Sequence, residues 1–267
     1  MTRGILFDLD ETLVEFGRRR ADARDALFDA GAARVYAFLT ARGCALPPFE
    51  PFVSRQRRLA RQMEWATRLT GGEPDARRLL RRLCRDFGLQ RDEHALATLG
   101  WLWHQPAAEA AHLPDDVIPA LSALRDGGVR LGLVVNTPLL GRVVDQHLEN
   151  LGLLEFCPVR AYSTEIGSRK PDPRLFLAAL DELGVAAEDA AFVGDDLKTD
   201  IVGAHRLGMT TILKTDSRDR APRGMVDHTI ERIGQLLELL EIVPRHGDHQ
   251  PAPLEIPPLN ISDVLQR

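Results

Sequence analysis

A parallel α/β sheet covered by helices on both faces, interrupted by an inserted α-helical bundle, is the fold class that this 267-residue sequence predicts. Two observations carry it. Short apolar runs such as VRLGLVV, AAFVG and TTIL alternate with amphipathic stretches, the pattern of strands buried on both faces and joined by crossover helices. Between the first such run and the second, from about Asp22 to Gln105, the periodicity is helical and no strand is convincing.

The first strand is expected over residues 3–9, with Ile5, Leu6 and Phe7 as its buried run. It ends in two carboxylates, Asp8 and Asp10, followed by the hydroxyl of Thr12. Residues i and i+2 of a strand share a face, so Asp8 and Asp10 are expected to project together from its C-terminal end. That is the edge at which open α/β sheets bind ligands, and two acids crowded there call for a cation or a shared proton. Helices are expected next near 22–42, 50–70, 74–88 and 92–105, broken at Arg42-Gly43, Pro47-Pro48, Gly71-Gly72 and Phe87-Gly88. Four helices joined by short turns make a small bundle. Alternation then returns: helix 115–126, strand 129–135, helix 139–151, a strand near 159–163, helix 173–183, strand 190–194, helix 197–207, strand 210–213 and a last helix over 230–241. The residues from Val243 to Arg267 hold five prolines and are expected to form an extended arm or disordered tail. The expected domains are a core of 1–13 with 114–242, an insertion of 14–113, and the tail 243–267.

With 44% apolar and 27% charged residues, the composition is that of a soluble globular protein. The opening MTRGILFDLDE has acids within ten residues and no apolar stretch long enough for a signal or a membrane span. A cytoplasmic protein with no membrane partner is the expectation. Cys44, Cys84 and Cys157 are odd in number, far apart and without a CxxC pair, so idle or buried thiols are expected rather than disulfides or zinc. The net charge of −5 hides an asymmetry. Val14–Leu113 holds 17 arginines, no lysine and 12 carboxylates, a net of +5, against −10 for the remainder. That contrast points to two modules and is compatible with an anionic ligand between them. Mixed signs in an acidic chain give no reason to expect nucleic acid.

Three further segments fall at the ends of expected strands: Asn136-Thr137 after 129–135, EIGSRKPDP with Lys170 after 159–163, and GDDLKTD with Asp195, Asp196 and Asp200 after 190–194. Strands of a parallel sheet all point one way, so these groups meet Asp8 and Asp10 at one edge. Carboxylates are hard oxygen ligands suited to magnesium, and a lysine with backbone amides suits a phosphate.

With DLDET (8–12), VVNT (134–137), RKPDP (169–173) and VGDDLKTD (193–200) in that order, the chain resembles the haloacid dehalogenase superfamily of hydrolases, in the form with a helical cap inserted after the first strand. The resemblance spans residues 3–213, the insertion matching in position and helical character. It implies a Rossmann-like core, a Mg²⁺ cofactor, and a phosphoric monoester hydrolase acting on a small phosphorylated metabolite through an aspartyl-phosphate. It assigns Asp8 as nucleophile and metal ligand, and Asp10 as general acid and base with its backbone carbonyl on the metal. Asp195 would be a direct metal ligand, with Asp200 and Asp196 acting from behind the ligands. Lys170 would balance charge and bind phosphate together with Asn136 and Thr137, and Thr12 would fix the turn after Asp10. For Asp196 and Asp200 a helix N-terminal role, complementing the macrodipole, is the competing reading. Gly194 points to a backbone requirement, a close approach or an unusual turn.

One departure stands out. The family's second motif normally has Ser or Thr where Val135 stands, a hydroxyl that would donate to a phosphoryl oxygen. A hydrogen bond to a charged group contributes roughly 1.5–3 kcal/mol. Compensation by Thr137, a slow enzyme and reduced function are all open. A dehalogenase of the same fold has no use for the acid at Asp10, a phosphomutase shares every motif, and a non-catalytic binding module draws support from Val135 alone. Monomer and homodimer are both open. Trp65, Trp101 and Trp103 read as core more than as a pocket, and the arginines of RQRRLAR and RRLLRRLCR as a solvated face. His104, His112, His147 and His205 show no metal-ligand spacing.

Overall fold

The structure, a computed structural model, describes residues 2–16, 21–70, 75–89, 92–215 and 224–241. The expected arm of 243–267 and the break at Gly71-Gly72 lie outside the described residues. Strand β1 (Gly4–Phe7) is followed by four helices, α1 (Ala21–Ala41), α2 (Phe49–Thr70), α3 (Ala76–Asp86) and α4 (Glu93–Glu109). Then come α5 (Val117–Asp126), β2 (Arg130–Val135), α6 (Gly141–Asn150), β3 (Val159–Tyr162), α7 (Ser163–Ile166), α8 (Pro173–Leu183), β4 (Ala190–Gly194), α9 (Val202–Arg206), β5 (Thr210–Lys214), β6 (His228–Ile230) and α10 (Gln235–Leu239).

The six strands form one parallel sheet in the order β3-β2-β1-β4-β5-β6. The chain leaves β1 towards one side, returns, and continues from β4 on the other, so the order reverses between β1 and β4. Crevices at such a reversal are the ligand sites of open α/β sheets. Strand β1 is buried throughout. On one face Ile5, Phe7, Leu131 and Leu133 pack with Leu121 and Leu124 of α5, Val144 and Leu148 of α6, and Leu236 of α10. On the other, Leu6, Val134 and Phe192 pack with Phe176 and Leu180 of α8. Both faces are covered, which is why these strands read as continuous apolar runs.

Helices α1–α4 enclose a third core of Val35, Leu39, Phe52, Leu83 and Leu99, and it extends onto Leu140 and Val143 of the β2–α6 region. Asp75 and Asp92 accept hydrogen bonds from Arg77 N and Ala95 N, each at 2.8 Å, and so cap α3 and α4. Gly31 lets α1 approach α4, since a Cβ there would collide with the backbone carbonyl of Trp103. The two ends of the insertion are tied together. Glu15 N donates to His112 O at 2.8 Å and His112 N to Glu15 O at 2.7 Å. The expected solvated face of arginines is present, with Arg55 on Asp86 and Arg57 on Asp29.

Three expectations are corrected. The last helix, expected over 230–241, begins as a strand: His228–Ile230 pairs with β5, and only Gln235–Leu239 is helical. Asp227 turns the chain into that strand, accepting from the N–H and the hydroxyl of Thr211, both at 2.8 Å. The helix expected over 197–207 opens with a wide turn at Leu197–Ile201, in which Ile201 N reaches Asp196 O at 3.3 Å. The first strand stops at Phe7, before the two aspartates, because Leu9 O accepts the N–H groups of Thr12, Leu13 and Val14 and coils the chain back. Among the described residues no helix is long and apolar enough to cross a membrane.

Candidate active site

Asp8 leaves the end of β1 with its N–H on Val193 O of β4 at 2.9 Å, which fixes it at the reversal point. Its carboxylate is buried and meets Lys170 Nζ at 2.5 Å through Oδ1. The Thr12 hydroxyl, fully buried, faces Oδ2 at 3.5 Å. Lys170 Nζ also stands 2.8 Å from Oδ1 of Asp200, which is itself buried, and 5.5 Å from the centre of the Phe192 ring. One ammonium thus lies between two buried carboxylates. Burial opposes the Lys170 charge, but Asp8 and Asp200 outweigh it and hold the ammonium above the ordinary lysine range. Burial pushes the Asp8 carboxyl up to about 8, aided by Asp200 and Asp10 and opposed by Lys170.

Asp195, following β4, completes an acidic group. One carboxylate oxygen from each of Asp8, Asp195 and Asp200 lies within 4.8 Å of the others. Partial burial, with Asp200 and Asp196 nearby, pushes the Asp195 carboxyl up to about 6. Gly194 is required by this packing, since a Cβ there would collide with the Asp200 carboxylate. Asp196 takes the helix-capping role, accepting from Lys198 N at 2.7 Å and Thr199 N at 3.1 Å. Asp10 is exposed on the coiled turn after β1, within electrostatic reach of Asp8 and outside the acidic group.

Asn136 and Thr137 follow β2 on the same edge, and both make hydrogen bonds to the scaffold. Asn136 Oδ1 accepts from Lys170 N at 2.8 Å and its Nδ2 donates to Lys170 O at 3.2 Å, clamping the backbone that carries the lysine. Thr137 N donates to Ser163 Oγ at 2.9 Å, and Thr137 Oγ1 accepts from Leu139 N at 3.1 Å. Val135 is buried in the core with Leu131 and Leu133. Ser163 escaped the sequence reading although it stands at the end of an expected strand. Lys214, at the end of β5, escaped it too: its Nζ reaches Glu11 O at 3.1 Å and Glu15 Oε1 at 2.9 Å, tethering the chain that leads to the insertion. His104 of α4 and His147 of α6, unremarkable by spacing, meet at 3.1 Å between Nε2 and Nδ1.

A family model described as haloacid dehalogenase-like hydrolase matches residues 2–208. The chain belongs to that family. Among relatives of this hydrolase, a glyceraldehyde 3-phosphate phosphatase of Methanopyrus kandleri is 31% identical over 251 residues, 91% of this chain and 97% of the relative. A ribulose-1,5-bisphosphate 5-phosphatase of Halopiger xanaduensis is 28% identical, over 90% of this chain and all of the relative. In fold, the hydrolase is similar to a solved 2-haloacid dehalogenase of Pseudomonas syringae, with a TM-score of 0.61, 24% identity and coverage of 90% and 99% of the two chains.

Proposed function

We propose that this hydrolase is a Mg²⁺-dependent phosphatase that cleaves a small phosphorylated metabolite through an aspartyl-phosphate on Asp8. The observation that carries the reading is the buried Asp8–Lys170–Asp200 chain beside Asp195, set at the reversal point of the sheet. The relatives with full-length similarity are phosphatases of small phosphorylated compounds, which supports the substrate class.

The donor set fits a hard divalent cation. Three carboxylates offer oxygens within 4.8 Å of one another, and oxygen-only donors favour magnesium over the softer transition metals. Asp8 and Asp195 would hold it, with the Asp10 backbone carbonyl; Asp200, already paired with Lys170, supports from behind. Bound there, the cation neutralises phosphoryl charge.

In the first step an Asp8 oxygen attacks phosphorus, a P–O bond to Asp8 forms, and the ester P–O bond breaks. Asp10 gives its proton to the leaving alkoxide. Asp10 then takes a proton from water as the water oxygen attacks phosphorus, and the bond to Asp8 breaks to release phosphate. Lys170 orients the nucleophile and balances the charge of the transferring group. Asp10 also separates this reading from halide displacement, in which the leaving group needs no proton. The helical insertion packs on the β2–α6 region at the catalytic edge, which supports its reading as a cap that excludes water and selects substrate. A panel of phosphomonoesters assayed with and without Mg²⁺ tests the assignment. Turnover of at least one, lost on chelation, is expected; no turnover of any ester refutes it.

A further inference from the structure

We propose that the phosphoester cleaved at Asp8 carries an apolar group of about ten non-hydrogen atoms, seated in a chamber between the inserted helices and the loop after β2. The inference rests on the phosphatase reading above and names the substrate class for it. The chamber has a volume of about 330 Å³. At about 30 Å³ for each water-sized group it has room for about ten heavy atoms, within the range of small-molecule sites. Its walls include Phe28 of α1, Met63 of α2, Leu79 of α3, Trp103 and His104 of α4, and Leu139 after β2. Apart from the His104 imidazole and the indole N–H of Trp103, its lining side chains are apolar. Phe28 and Trp103 meet edge to face, 5.0 Å between ring centres.

The path of the chain puts this chamber beside the loop that leaves the catalytic edge. The linker into α1 and the linker out of α4 pair at Glu15 and His112, and Lys214 ties Glu15 to the C-terminal end of β5. The end of α4 therefore lies near the sheet, with the middle of α1 beside it through Arg34 on Glu109. The start of α3 joins it: Ala76 N, at the first residue of α3, donates to Pro138 O at 2.9 Å. The floor residues of the chamber, Pro138 and Leu139, follow directly on Asn136-Thr137.

The chamber is a cleft open to solvent rather than an enclosed void. Its lining does not match a compact polyol or sugar phosphate, which has no apolar part to fill it and would strand its hydroxyls against leucine, methionine and aromatic carbon. An aromatic or branched aliphatic alcohol esterified to phosphate matches both halves of the site, with the phosphoryl group at Asp8 and the carbon skeleton among the helices.

The test compares 2-phenylethyl phosphate with glycerol 3-phosphate, two esters of primary alcohols whose leaving groups are of similar basicity, on the full chain with Mg²⁺. The expected kcat/KM is at least tenfold higher for the phenylethyl ester, carried mainly by KM. Ala107→Phe, which fills the chamber from α4, is expected to lower that ratio at least tenfold. Ala60→Leu fills it from α2 and serves if circular dichroism finds the first variant unfolded. Preference for glycerol 3-phosphate, or a ratio that filling leaves unchanged, overturns the apolar substrate and leaves the phosphatase standing. Absence of hydrolysis of both esters and of a panel of sugar phosphates overturns the phosphatase reading, and this inference with it.

Discussion

The ammonium of Lys170 stands 2.5 Å from Oδ1 of Asp8, with both groups buried, and 2.8 Å from Oδ1 of Asp200. This single cation compensates two carboxylates that water cannot reach well. Breaking a buried pair by removing one partner costs about 3–5 kcal/mol, because the charge left behind is uncompensated. Lys170→Met is therefore expected to lower the stability of the metal-free protein by about that amount above pH 8, where Asp8 is ionised, measured by urea unfolding, and to lower turnover at least 10²-fold. A variant as stable as the parent would mean that Lys170 does not carry the charge balance of the site.

Asp8 and Asp10 differ in burial as they differ in proposed role: Asp8 is buried against Lys170, and Asp10 is exposed on the turn. Asp8→Asn should remove activity, since an amide is a poor nucleophile. Asp10→Asn should keep Mg²⁺ binding, which uses its backbone, and slow the chemical step by about 10²–10⁴. Mass spectrometry after a rapid acid quench should find phosphate on the Asp8 peptide. Phosphate on another residue, or none in a single turnover, would remove Asp8 as nucleophile.

Chelation should abolish turnover, and Mg²⁺ at a hundredfold its Kd should add about 2.7 kcal/mol of stability, read as a rise in Tm. Asp195→Asn should suppress that rise. The sign of the pH dependence follows from Asp8. Its carboxyl is pushed up to about 8 by burial and neighbouring acids, so below that pH the cation must displace a proton. Mg²⁺ affinity should fall as pH is lowered from 8 to 6, with proton uptake by the buffer detectable by calorimetry. Affinity independent of pH, or full activity after exhaustive chelation, would contradict the metal assignment.

The sequence made legible what depends on apolar runs and on strand ends. VRLGLVV, AAFVG and TTIL each fall on a strand, and Asp8, Asn136, Lys170 and Asp195 share one edge because a parallel sheet has one direction. The finer geometry was out of reach for local reasons. The expected side-by-side projection of Asp8 and Asp10 assumed a strand two residues longer than the one that the hydrogen bonds to Leu9 O permit. Strand β6 was hidden because three residues, HTI, give no alternation to read. Ser163, Lys214 and the His104–His147 contact depend on partners 26 to 203 residues away in the chain, which no spacing rule reveals. Asp196 and Asp200 sit four apart in one motif and take different parts, one capping a turn and the other paired with Lys170.

Val135 offers the last prediction. Its side chain is buried with Leu131 and Leu133, at the position where the family's second motif has a serine or threonine. The neighbouring Thr137 hydroxyl accepts from Leu139 N at 3.1 Å and retains its own proton to donate. Restoring one hydrogen bond to a charged group contributes roughly 1.5–3 kcal/mol, which is about 10- to 100-fold in rate if it acts in the transition state. Val135→Ser is therefore expected to raise kcat by about that factor, while losing about 1–3 kcal/mol of stability through the buried hydroxyl and lost apolar contact. Thr137→Val should lower kcat and loosen the loop, because Leu139 N–H loses its acceptor. An unchanged rate in Val135→Ser together with a near-inactive Thr137→Val would assign the donor wholly to Thr137. Parent and both variants inert towards every phosphoester would favour a binding module built on this fold. Kinetics and melting curves of the two variants side by side separate these outcomes.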